Sequence, residues 1–139
     1  MNAYLNQYQN NMITTASPEQ ILIMLYDGAL RFVRQAEEAM TSGDRVRKLE
    51  MISKTLAIVA EFSNSLDHGT GGDIADNLDA LYSYMIRELT QANLHDDKQR
   101  LDVVEQLLVD LRATWAEAID VARREAATHA PAARESAQA

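Results

Sequence analysis

The chain contains two prolines, Pro18 and Pro131, and every regular pattern in it lies between them. Proline removes a backbone donor and breaks helix interiors, so a long proline-free interval is open to long helices. The pattern inside is helical throughout. Leu22, Leu25, Tyr26, Ala29, Val33, Ala36 and Met40 recur at steps of three and four, which places them on one face of a helix. Ser17-Pro18-Glu19-Gln20 marks its start, with Ser17 as N-cap, proline in the first turn and Gln20 placed to close a capping box. Ser42-Gly43-Asp44 marks its end, with Gly43 as the left-handed terminator and Asp44 as the next N-cap.

The same reading gives three more helices. Leu49, Ile52, Leu56, Val59 and Leu66 form the expected core face of the second; Ile74, Leu78, Leu81, Met85, Leu89 and Ala92 that of the third. In the fourth, Leu101, Val104, Leu108, Leu111, Trp115, Ile119 and Ala122 share a side. Asp67-His68-Gly69-Thr70-Gly71-Gly72 is the most glycine-dense stretch and reads as a loop. The spacing therefore predicts helices over 17–41, 44–66, 73–92 and 97–126, a polar leader over 1–16 and a flexible alanine-rich tail over 127–139. No alternating β pattern and no solenoid repeat competes. Short connections between amphipathic helices make sequential neighbours antiparallel, so the expected fold class is all-α: an antiparallel up-down four-helix bundle with a partly ordered N-terminal leader.

Composition narrows the function. The chain has 139 residues, enough for one domain with a core, and its formal charge of −8 repels phosphate backbones and anionic membranes. Nucleic-acid binding is therefore not expected, and membrane insertion is not expected because no stretch approaches the roughly 20 consecutive apolar residues of a membrane span. Cysteine is absent, which removes disulfides and thiolate chemistry and fits a reducing compartment. The leader has no basic and apolar signal-peptide pattern, so a cleaved export signal is not expected.

No catalytic or metal-binding constellation emerges. The Glu-x-x-His pairs of di-metal bundles are missing, and His68, His95 and His129 fall outside the predicted core faces. Asp73, Asp76 and Asp79 lie near the start of the third helix, where they offset its dipole, and the ligand spacing of a calcium loop is absent. There is no Gly-x-Ser-x-Gly elbow, and Gly71-Gly72 lacks the Lys-Ser/Thr of a phosphate loop. The expectation is a protein that is not an enzyme and has no cofactor.

What the sequence does offer is surplus apolar surface. Ile21 to Tyr26 is an unbroken apolar run that wraps the full helix circumference. With Leu22, Leu25 and Ala29 turned inward, Ile21, Met24, Gly28 and Phe32 form a second stripe on the first helix. Met51, Thr55, Ile58 and Phe62 form a similar stripe on the second, and Tyr84, Ile86, Val103, Val109 and Val121 lie outside the main seams of the others. Wide stripes also arise at bundle edges that must cover two neighbours. Two stripes rich in Met and Phe nevertheless suit a groove that accepts a partner's amphipathic helix. Tyr4 and Tyr8, one turn apart on the polar leader, suit a displaceable cap over such a groove. The competing expectation is a bundle whose stripes make a homo-oligomer without a client, which light scattering would reveal as a tight dimer.

Several stretches resemble one family. They are Ala3-Tyr4, then Thr15-Ala16-Ser17-Pro18-Glu19-Gln20-Ile21-Leu22-Ile23-Met24-Leu25-Tyr26-Asp27-Gly28-Ala29, then Gly71-Gly72-Asp73-Ile74-Ala75-Asp76-Asn77-Leu78 running into Leu81-Tyr82-Ser83-Tyr84-Met85-Ile86, with Gln91-Ala92-Asn93-Leu94 and the Trp115 region. In this order, over about residues 3–122, the chain resembles the flagellar secretion chaperone FliS family. The resemblance implies a cytoplasmic four-helix bundle that binds the disordered C-terminal segment of flagellin, blocks its premature polymerisation and presents it to the flagellar type III export gate. It also implies, for some members, contact with an anti-sigma factor. The expected partner-binding residues are Ile21, Met24, Phe32, Met51, Thr55, Ile58 and Phe62 in the groove, with Tyr4 and Tyr8 as cap or export-gate contact.

Overall fold

A computed structural model describes residues 16–138, and the side chains of residues up to 129. Among the described residues the chain is all-α, with helices α1 (Pro18–Ser42), α2 (Arg45–Asn64), α3 (His68–His95) and α4 (Lys98–Gln138). The caps explain the boundaries. Gln20 N–H donates to Ser17 Oγ at 3.2 Å and Ser17 N–H to Gln20 Oε1 at 3.0 Å, the reciprocal box that satisfies two otherwise unpaired donors. Gly43, at φ +76°, ends α1, and Asp44 N–H closes back on the Ala39 carbonyl at 2.9 Å. The Asp44 carboxylate then caps α2 through Arg47 N–H at 3.1 Å. Asp97 does the same for α4, accepting from Gln99 N–H at 3.1 Å.

Two boundaries differ from the sequence reading. Residues 67–72 are not an open loop. Asp67 accepts from Thr70 N–H at 3.1 Å and from Thr70 Oγ1 at 2.6 Å, which winds the glycine-rich segment into a helical turn. These bonds hold the Asp67 carboxyl below the usual carboxylate range. Gly72 then breaks the helix at φ 53°, ψ −127°, and the main run of α3 begins after it. At the other end, α4 continues through Pro131 to Gln138 where a flexible tail was expected. The stretch is rich in alanine, the strongest helix former.

The chain divides into two compact units. One is Met24–Val109; the other combines Met1–Ile23 with Asp110–Ala139. In the first unit all four helices contribute, running up and down. Paired residues show the antiparallel sense. On α2 and α3, Lys48 Nζ donates to the Asn93 carbonyl at 3.1 Å near one end and Ser63 Oγ donates to Asp79 at 2.6 Å near the other. Arg100 of α4 forks onto the Glu88 carboxylate of α3 at 3.1 and 3.2 Å, and Arg34 of α1 lies 3.7 Å from Glu105 of α4.

The core of this unit contains Tyr26, Ala29, Val33 and Ala36 from α1, Ile52 and Val59 from α2, Met85 and Leu89 from α3, and Leu101, Val104 and Leu108 from α4. At its aromatic end, Phe62 stacks on Tyr26 with centroids 4.3 Å apart and packs against Tyr82 at 5.5 Å. The Tyr26 and Tyr82 hydroxyls are 2.8 Å apart, so each buried polar tip meets another.

In the second unit the described parts are the capped first turn of α1 and α4 from Asp110 onward. Leu111, Trp115 and Ile119 are half-buried at four-residue steps, while residues 121–129 are exposed. No helix among the described residues is long and apolar enough to cross a membrane.

Candidate protein-binding surface

The structure sorts the expected groove residues into two groups. Met24, Phe32 and Ile58 are half-buried, open on one side to solvent, and Ile21 is half-buried within the other unit. Met51, Thr55 and Phe62 are buried in the bundle and are not an open surface, which corrects the sequence reading. The reason is a rotation of α2 about its axis. Its buried face is Lys48, Met51, Ile52, Thr55, Val59 and Phe62, whereas Leu49, expected inside, is 53% exposed. Thr55 tolerates burial because its Oγ1 donates to the Met51 carbonyl at 2.8 Å. Lys48 buries its stem and carries its ammonium out to Asn93 and Asp96. The Lys48 ammonium in turn holds the Asp96 carboxyl below its ordinary range. Tyr4 and Tyr8 lie outside the described residues.

Half-open apolar surface remains on α1 and α2 around Gly28. Gly28 itself is buried, and a side-chain carbon added there would stand 3.5 Å from Ile58 Cδ1, so Ile58 packs against α1 at this glycine. Phe32 lies one turn further along α1, with Arg31 and Lys54 placed on its ring. A second apolar patch was missed by the wheel reading. Lys48 joins the start of α2 to the end of α3, and at that end Val46 is 79%, Leu49 53% and Leu94 70% exposed. Ile74, also expected inside, is 71% exposed, because Ala75 and Tyr82 take the buried face of α3. An apolar periodicity alone does not tell which side of a wide stripe meets a neighbour, so no local signal separated these from core residues.

The titratable groups cluster elsewhere. Glu37 of α1 shares a hydrogen bond with Asp102 of α4, beside Glu105, in an open pocket of about 510 Å³ that Arg34 and Lys98 also line. Burial first, then the Asp102 bond and the nearby carboxylates, push Glu37 up to about 7, against the pull of Lys98. Its Oε1 is buried with no partner among the described residues. The folded state therefore holds a proton that the unfolded chain releases from pH 4.5 upward, and stability should fall as pH rises from about 4.5 to about 7. Glu37→Gln should remove this dependence and be the more stable protein at pH 8, by about 1 kcal/mol once solvent access to the pocket is discounted. Urea titrations of both proteins at pH 5 and pH 8 check it; parallel losses in the two would assign the pH dependence to other groups. No set of three or more metal-ligating side chains is grouped among the described residues.

Comparison with known proteins points one way. The family model for "Flagellar protein FliS" matches residues 1–122. The flagellar secretion chaperone FliS of Salmonella typhimurium is 40% identical over 114 residues, covering 81% of this chain and 84% of that protein. The flagellar secretion chaperone FliS of Bacillus subtilis is 36% identical over 118 residues, covering 85% and 87%. A crystal structure of a bacterial flagellar chaperone shares the fold at a TM-score of 0.70, with 22% identity over 84% of this chain and 97% of its own. With its capped helices, its half-open seam and a match that spans most of its length, the chain belongs to the flagellar FliS family.

Proposed function

We propose that this chain is a cytoplasmic export chaperone that holds the disordered C-terminal segment of flagellin, keeps it from polymerising and hands it to the flagellar export gate. The observation that carries this reading is the half-open apolar seam of Met24, Phe32 and Ile58 around Gly28, in a protein of the FliS family. An apolar strip left open on a folded bundle is completed by the apolar face of a partner helix. Flagellin subunits assemble through the apolar faces of their terminal helices, so a face occupied by the chaperone is withheld from assembly. Ordering a disordered segment costs several kcal/mol of the gross interaction, which keeps the complex reversible. Tyr4 and Tyr8 serve in this reading as a cap displaced by the client or as a contact for the export gate, and an anti-sigma factor is a second partner.

Calorimetry with monomeric flagellin, full-length and lacking its C-terminal segment, tests the proposal. Full-length flagellin should bind with a negative heat-capacity change, and the truncated form should give no heat. Equal binding of both forms would refute the C-terminal assignment.

A further inference from the structure

Phe32 carries two cations, one from each helix of the seam. The Arg31 guanidinium lies 5.3 Å and the Lys54 ammonium 5.4 Å from the ring centroid, both inside the range of a cation–π contact. Lys54 has Glu50 at 3.3 Å, an exposed pair along one helix face. Arg31 is exposed and has no carboxylate within ion-pair distance among the described residues. Arg31 thus stands on Phe32 as a cation without an ion-paired carboxylate, beside the Lys54–Glu50 pair, in a chain whose formal charge is −8.

An apolar segment laid across Phe32 and Ile58 would take water away from both cations. Without a compensating charge that desolvation opposes docking, and the two like charges on one ring repel more strongly as water leaves. A client carboxylate set between them reverses the sign of the effect. We propose that the segment docking on this seam carries an acidic side chain next to its apolar anchor, and that Arg31 and Lys54 select for it. This rests on the reading above, that an amphipathic client segment docks here; it adds which client chemistry the seam accepts. Basic segments of equal hydrophobicity are rejected by the same pair.

The test uses the full chain and monomeric flagellin. Wild-type affinity should fall roughly tenfold between low and high salt, because charges at an interface rim are screened. R31E/K54E should bind at least about tenfold more weakly at low salt and lose that salt dependence, while R87E, altered near Tyr84 on α3, should bind like wild type. Should R31E/K54E lose helicity, R31Q/K54Q replaces it. Independently, Asp or Glu to Lys changes in the flagellin C-terminal segment, measured on the unaltered chaperone, should weaken binding and be rescued in part by R31E/K54E. If wild type binds no flagellin, the client reading itself fails. If wild type binds and neither the variants nor the client changes alter affinity or salt dependence, the charge selection is overturned while the client reading stands.

Discussion

Phe62→Ala is expected to destabilise the protein by about 3–5 kcal/mol, and Phe62→Asp to leave no cooperative fold. Phe62 is buried with its ring stacked 4.3 Å from Tyr26 and 5.5 Å from Tyr82, so it joins α2 to both α1 and α3. Removing the ring opens a cavity lined by two tyrosines whose hydroxyls are already committed to one another at 2.8 Å. Neither can swing into the space without giving up that bond in a buried site. A loss of this size is a large fraction of the stability of a small domain. Urea titration followed by far-UV circular dichroism checks it: the midpoint should drop with little change in slope. An unfolding free energy within about 1 kcal/mol of wild type would show that the aromatic stack is not a principal tie between these helices.

Phe32→Asp combined with Ile58→Asp is expected to weaken flagellin binding by a factor of about one hundred or more with helicity retained. Both side chains are half-buried, and neither takes part in the Tyr26–Phe62–Tyr82 stack. Two carboxylates in the seam would each have to be buried by the client's apolar face, which is the costly arrangement that interface centres exclude. The pairing matters. The sequence reading would have joined Ile58 to Phe62 for this experiment, and that variant would lose its fold along with its client. Retained helicity with unchanged affinity would move the docking surface elsewhere, first to the exposed Val46, Leu49 and Leu94 at the other end of the bundle.

The two predictions separate what α2 does inside from what it offers outside; the sequence alone placed Ile52 and Val59 inside correctly but put Leu49, Met51, Thr55 and Phe62 on the wrong side. Its apolar residues occupy nearly the whole circumference, so the wheel allows two inward faces related by a small rotation. Choosing Leu49, Ile52, Leu56 and Val59 was as good a fit as choosing Met51, Ile52, Thr55, Val59 and Phe62. What decides is the pair of tyrosines on α1 and α3 that enclose Phe62, and the Lys48 contact with the far end of α3. Both involve residues distant in the chain.

Local chemistry, by contrast, was legible residue by residue. The Ser17–Gln20 box, the positive φ of Gly43 and the Asp44 cap each rest on atoms within a few positions of one another, so the sequence determined them. The same holds for the all-α class and for the family, since helix period and motif spacing are one-dimensional properties. Which side of each helix is sealed, where Gly72 interrupts α3, and which cations stand over Phe32 were decided only by tertiary packing. Burial depends on what neighbouring helices bring to a face, and a single strand of sequence carries no record of that neighbour's angle or rotation.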